Sequence, residues 1–206
     1  MSSQDLPPHG SSRRELLLAS ALAAAGGAGA ALIASCGGSD SKTRSTATVS
    51  TAQADSDAAI LGALLDQENS SIVAYTLVAT KLRGGPLASA ERFLGHERRH
   101  AAALERAVRG LGGTPSPPRP RPEYEATFPR LRSTRDALSF ALDVETTAVA
   151  AYSDALGKLA TDDVRATVAA IFVTEAEHAS AVLGALGRPQ TPDAFVNGPP
   201  PEVESP

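Results

Sequence analysis

Two short stretches of the chain carry its most reactive pattern, Glu97-Arg98-Arg99-His100 and Glu175-Ala176-Glu177-His178. On a helix, an i, i+3 spacing places the carboxylate and the imidazole on one face. Two more glutamates, Glu68 and Glu145, each stand seven residues before a tyrosine, Tyr75 and Tyr152. All six Glu and His residues fall where their surroundings call for an apolar side chain. Around Glu145 the apolar positions are Leu138, Leu142, Val149, Tyr152, Leu156 and Leu159, and Glu145 fills the missing step of an alternating +4, +3 series. That series is the buried seam of a helix packed against others. A carboxylate there is costly unless it is neutralised or paired, so the six residues need one another or a shared cation.

The elements that must position them are helices. The first seam runs Leu61, Leu65, Glu68, Ile72, Tyr75, Ala79, Leu82, and the second Phe93, Glu97, His100, Leu104, Ala107, Leu111. The fourth runs Val164, Val168, Ile171, Glu175, His178, Val182, Ala185. The first helix is expected from Asp57 to Leu82, stopped by Arg83-Gly84-Gly85-Pro86, and the second from Leu87 to Arg109, ending at Gly110-Leu111-Gly112-Gly113. The third opens at Ser133-Thr134-Arg135-Asp136, a capping box. The fourth opens at Thr161-Asp162-Asp163, with Thr161 as its cap and two acids near the positive end of the helix dipole, and closes near Gly187.

The sequence also repeats itself. Leu65–Tyr75 matches Leu142–Tyr152 in residue type, and His100 corresponds to His178, at an offset of about 77 residues. Loops one and three are short, so each copy is an antiparallel hairpin. The proline-rich link between them, about 20 residues, is long for a helical bundle. It can run the length of a helix of about 35 Å, which makes the second and third helices parallel. The expected fold is all-α, with two antiparallel helical hairpins joined by a long crossover. Glu145 lies about 16 residues before the last loop and Glu175 and His178 about 14–17 after it, so at about 1.5 Å per residue they meet at one level.

One Glu from each of two helices and Glu-x-x-His from each of the other two is the dimetal-carboxylate pattern of such bundles. Charge supports it: four carboxylates balance two divalent cations when both imidazoles are neutral. Oxygen donors with some imidazole suit Fe or Mn better than structural Zn, which usually brings thiolates. A helical glutamate is ordinarily a solvated surface residue, but six on seam positions are hard to obtain by accident. On these residues, over about 57–196, the chain resembles the ferritin-like superfamily and is similar to the ferritin-like proteins grouped with desiccation-related proteins. The resemblance implies two Fe or Mn ions per chain. It also implies Glu97 and Glu175 as bridging carboxylates, Glu68 and Glu145 as terminal carboxylates, and His100 and His178 as terminal imidazoles. It makes Tyr75 and Tyr152 candidates for catalysis beside the metals, the alternative being core aromatics whose hydroxyls need any partner. His96 leaves the seam and is expected to be exposed, an extra ligand being the alternative. Glu177, Asp66 and Asp143 also leave it and are expected to be solvated.

The 206 residues suffice for one domain with tails. Aromatics make up 4% and there is no Trp, which suits close-packed helices better than sheets. A net charge of −4 suggests no nucleic-acid partner, and the arginines from Arg119 to Arg135, interleaved with prolines, read as a solvated connector. Cys36 is the one cysteine, so no intrachain disulfide forms.

The N-terminus reads as an address. Arg13 and Arg14 precede an Ala/Gly-rich apolar run from Leu16 to Ile33, closed by Ile33-Ala34-Ser35-Cys36. Ser12-Arg13-Arg14 resembles a twin-arginine (Tat) export signal, with Leu16 and Leu18 where Phe and Lys are usual, and the Sec route stays open. The closing residues resemble a bacterial lipobox, implying a signal peptide over 1–35 and lipidation of Cys36. The alternative is an uncleaved single-pass anchor. Residues 36–56 read as a flexible tether of at most about 65–70 Å, 57–196 as the ferritin-like domain, and 197–206 as a disordered proline-rich tail.

Two functions are expected from different classes. One is a membrane-tethered, extracytoplasmic (periplasmic or outer-face) dimetal oxidoreductase that oxidises Fe²⁺ or handles peroxide, with a small oxidant such as O₂ or peroxide as partner. The other is a non-catalytic, metal-stabilised surface lipoprotein of envelope stress or desiccation. The lipid tether and the lack of a fifth helix in the tail point to a monomer or dimer rather than a cage.

Overall fold

The computed structural model describes residues 50–191. The expected signal peptide, Cys36, most of the expected tether and the proline-rich tail lie outside them. Among the described residues all regular structure is helical: α1 Thr51–Ala79, α2 Gly84–Gly110, α3 Arg121–Glu125, α4 Thr134–Leu156 and α5 Asp162–Ala185.

Helix ends follow local chemistry. Ser50 and Gln53 form a capping box: the Ser50 hydroxyl accepts the Gln53 N–H at 3.3 Å, and the Gln53 carbonyl accepts the Ser50 N–H at 3.0 Å. This starts α1 at Thr51, ahead of the expected Asp57, so the end of the presumed tether is helical. The expected box at α4 forms between Ser133 and Asp136. The second helix of each hairpin ends on a left-handed glycine, Gly112 (φ 83°) and Gly187 (φ 71°). In both, the next N–H reaches back to the carbonyl of Val108 or Leu183 at 2.9 Å, which is the Schellman closure.

α1 packs most extensively on α2, and α4 on α5; α1 also meets α4, and α2 meets α5. The apolar core is in two parts. One joins Leu61 and Leu65 of α1, Leu104 and Val108 of α2, Tyr152 of α4 and Val168 of α5. The other joins Tyr75 and Val78, Ala90 and Phe93, Leu138 and Ala141, and Val182. The C-terminal halves of α2 and α4 thus share one end, so these helices run parallel, as the long crossover requires. Each fully buried Leu or Val contributes about 1.5–3 kcal/mol. Between the two parts lies a layer of buried Glu and His. The α1 seam drifts from expectation: Ile72 and Ala79 are half-buried, while Ser71, Ala74 and Val78 face inward.

The crossover is more than a solvated connector. Its Tyr124, on α3, is buried, and its hydroxyl donates to Asp66 on α1 at 2.7 Å. Arg119 lies over the Tyr124 ring and makes a bidentate pair with Asp66 at 3.0 and 2.8 Å. Asp66, expected to be free in solvent, is the buckle of this strap. Phe128 packs against Phe140 with the rings tilted by 53°, and Leu131 joins the core.

A second unexpected acid, Asp57, is buried on α1 and accepts the N–H groups of Ala160 (3.0 Å) and Thr161 (2.8 Å) at the start of α5. The Thr161 hydroxyl, expected to cap that helix, makes no hydrogen bond. The Asp57 carboxylate serves this turn instead.

Candidate metal centre

All six seam residues meet at mid-bundle. Glu68, Glu97, Glu145, Glu175 and His178 are at most 2% exposed, and His100 is 9%. Their donor atoms form two groups, each with every atom within 4.8 Å of the others: Glu68, Glu97, His100 and Glu175, and Glu97, Glu145, Glu175 and His178. Glu97 and Glu175 belong to both, and each remaining residue to one. Both imidazoles turn Nδ1 inward. His100 Nδ1 lies 2.8 Å from Glu175 and 3.6 Å from Glu68. His178 Nδ1 lies 3.4 Å from Glu97 and 3.6 Å from Glu145 and Glu175.

The polar atoms of this layer test whether it fits a cation. Eight buried side-chain N or O atoms among the described residues lack a hydrogen bond, and seven are here: Glu68 Oε2, Glu97 Oε1, Glu145 Oε2, both oxygens of Glu175, and Nδ1 of His100 and His178. The 2.8 Å approach of His100 to Glu175 is off the line of a hydrogen bond. Native interiors rarely leave such atoms unpaired. Seven converging on one spot suit a positive ion in their midst, and carboxylate with imidazole suits Fe or Mn.

The two tyrosines complete the layer from opposite hairpins. Tyr75 of α1 donates to Glu145 Oε1 on α4, and Tyr152 of α4 donates to Glu68 Oε1 on α1. Each terminal glutamate therefore has one oxygen held by a phenol and one left free. Both oxygens of Glu175 are free, as a bridge would need. Burial first, then the neighbouring carboxylates, push both phenol pKa values well above their ordinary value, so both remain donors.

Without metal, protons carry the compensation. Burial, with the charges of neighbouring carboxylates, pushes Glu97 up to about 10 and Glu145 up to about 8, against the pull of His178. Burial opposes the charged form of Glu175 too, but its contacts with His100 and His178 win and bring it down to about 2. Burial likewise opposes the imidazolium forms. The carboxylates outweigh it, bringing His100 to about 9 and His178 to about 11. The layer titrates as one unit, and its protons belong to the set rather than to single residues.

His96 is half-buried rather than exposed. Its Nδ1 lies 2.8 Å from His178 Nε2, the two rings meeting edge to edge with 27° between their planes. It joins neither donor group. The seam pattern could not show this, because the contact crosses from α2 to α5. Glu177 and Asp143 are exposed, as expected. A cavity of about 260 Å³ with mostly apolar walls, among them Leu82, Ala90, Leu138 and Val182, reaches Tyr75 and Phe93. Phe93 in turn stacks on His178 at 4.0 Å between ring centroids.

A family described as ferritin-like domain matches residues 37–188. Two solved structures share the fold: a conserved hypothetical protein from Mycobacterium tuberculosis and a ferritin-like, diiron-carboxylate protein from Bacillus anthracis. The first has a TM-score of 0.58 and 19% identity, covering 64% of this chain and 98% of its own. The second has a TM-score of 0.56 and 19% identity, covering 65% and 97%. No curated protein matches the chain.

Proposed function

The chain belongs to the ferritin-like domain family, and on that premise we propose that its Glu/His layer holds a pair of Fe or Mn ions and acts as an oxidase. The observation that carries this is the convergence of seven unpartnered buried donor atoms on two groups that share Glu97 and Glu175. Glu97 and Glu175 would bridge the pair. Glu68 with His100, and Glu145 with His178, would each complete one position. A bound Fe or Mn pair would supply electron exchange with a small oxidant.

The chain's own residues have definite tasks around that chemistry. Tyr152 and Tyr75 fix the terminal carboxylates so that the free oxygen of each turns inward. The two apolar cores exclude water from both ends of the layer. The apolar cavity ending at Tyr75 and Phe93 suits O₂ better than the more polar peroxide. A purified chain supplied with excess Fe²⁺ as electron donor should consume O₂ and yield Fe³⁺ over many turnovers, and Tyr75→Phe should slow this without emptying the site. Metal binding without sustained turnover would leave the metals a purely structural role.

The address at residues 1–36 supports export and a lipid tether at Cys36. The wild-type chain should take up labelled fatty acid and Cys36→Ser should not. Sizing should give a monomer or dimer, and a particle of twelve or more subunits would overturn that expectation.

A further inference from the structure

The two halves of the layer have different surroundings. Around His178, Phe93 stacks on one side of the ring, and His96 Nδ1 meets Nε2 at 2.8 Å. His100 has no comparable partner: its ring makes no hydrogen bond through Nε2 to another described residue. Along the duplication, the counterpart of His96 is Thr174, whose hydroxyl turns back to its own helix at Ala170 O, 3.3 Å away. The counterpart of Phe93 is the aliphatic Ile171.

We infer that His96 is a positioning residue for His178, and that it makes the two metal positions unequal, with the His178 position the tighter. This rests on the dimetal reading above. The inference follows from how an imidazole binds. His178 presents Nδ1 to the carboxylates, and a neutral ring bound to metal through Nδ1 carries its proton on Nε2. That N–H needs an acceptor, and His96 Nδ1 is at hydrogen-bond distance. Such an outer partner fixes both tautomer and ring orientation and raises the basicity of the ligand. Losing one typically weakens metal binding about 10–100-fold. Among the described residues nothing equivalent holds His100, so its position lacks this reinforcement.

Cobalt(II) is a suitable probe, because calorimetry counts the binding steps and the visible d–d bands report ligand geometry without any turnover. The full-length wild-type chain should bind two Co²⁺ with distinct affinities. His96→Ala should weaken the tighter step about 10–100-fold and shift its bands, leaving the weaker step unchanged. His96→Asn, which offers an acceptor oxygen in nearly the same place, should restore most of the loss. Thr174→Ala should change neither step. In a His178→Ala chain, one step should already be lost and His96→Ala should have no further effect, whereas in a His100→Ala chain the effect should persist. Two Co²⁺ bound with His96→Ala indistinguishable from wild type, or with both steps weakened alike, would overturn the role of His96 while leaving the dimetal centre standing. A folded wild-type chain that binds no Co²⁺ would remove both.

Discussion

The hairpin α1–α2 and the hairpin α4–α5 carry matching halves of one Glu/His/Tyr layer on differently finished frames. Glu68 and Glu145, Glu97 and Glu175, His100 and His178, and Tyr75 and Tyr152 are pairs, and each tyrosine bonds across to the other hairpin. The frames diverge away from the layer. Asp57 ties α1 to the turn before α5 by accepting two N–H groups, while its counterpart Thr134 ties α4 to the turn after α1 by donating to Lys81 O at 3.1 Å. Asp66 buckles the crossover, but its counterpart Asp143 is exposed and its carboxylate makes no bond among the described residues. Among the described residues the strap exists on one side only, so only Asp66 of the two acids is engaged there. What stays paired is the donor set that two cations would need; what differs at Asp57 and Asp66 is what one continuous chain needs to join two hairpins, and at His96 the support given to one donor.

The largest effects should fall on the shared carboxylates. Glu97→Ala or Glu175→Ala removes a donor common to both groups, so each should lose at least one ion and all oxidase turnover. Glu68→Ala or Glu145→Ala should weaken one position and spare the other. Elemental analysis of the dialysed variants checks this, and a terminal glutamate proving as damaging as a shared one would break the comparison. Glu145→Gln should bind metal more weakly yet stabilise the metal-free chain above pH 4.5, because burial holds the Glu145 carboxyl up at about 8 and Gln needs no proton to be buried.

The proton-rich state of the empty layer sets a pH dependence. Against burial, the carboxylates raise both imidazoles, His100 to about 9 and His178 to about 11, so the set holds protons at neutral pH until metal arrives. Metal needs them neutral, so uptake should release protons and weaken as pH falls. Titration calorimetry in buffers of differing ionisation enthalpy measures that release.

Smaller effects should separate the two frames. Asp57→Ala leaves two N–H groups unpaired and should cost about 2 kcal/mol, against about 1 kcal/mol for Thr134→Ala. The two should also differ with pH. Burial would raise the Asp57 pKa, but the N–H groups of Ala160 and Thr161, with Arg165 nearby, lower it below the usual value. Its contribution is therefore complete above its unfolded pKa of 3.8 and is lost as pH falls through the lower folded value. Thr134 should show no such loss. Asp66→Asn, half exposed, should cost about 1 kcal/mol, Asp143→Asn nothing measurable, and Glu177→Gln should alter neither stability nor metal content. Chemical denaturation reads the stability of all five.

What could be read from the sequence divides along physical lines. The six layer residues were visible because each breaks an apolar period that is otherwise regular. The Ser133–Asp136 box and the glycine stops were visible because caps are local chemistry. The direction of the crossover followed from its length. His96, Asp57 and Asp66 were not visible, because each acts through a partner far along the chain: His178, the turn at Ala160, and Arg119 with Tyr124. A polar residue off the seam looks the same whether it meets water or another element. Ser71 and Val78 replace Ile72 and Ala79 because Leu61, Glu68, Tyr75 and Leu82 stay fixed while the residue three after, rather than four after, Glu68 and Tyr75 faces inward, a choice of side that the packing partners set.

The central claim is that the buried Glu/His layer exists to hold two ions. Elemental analysis of the untagged, full-length chain, purified without chelator and dialysed, tests it most directly. Close to two Fe or Mn per chain in the wild type, falling by at least one in Glu175→Ala and unchanged in Glu177→Gln, is the predicted result. A folded wild-type chain free of transition metal, or a Glu177 change as damaging as the Glu175 change, would contradict it.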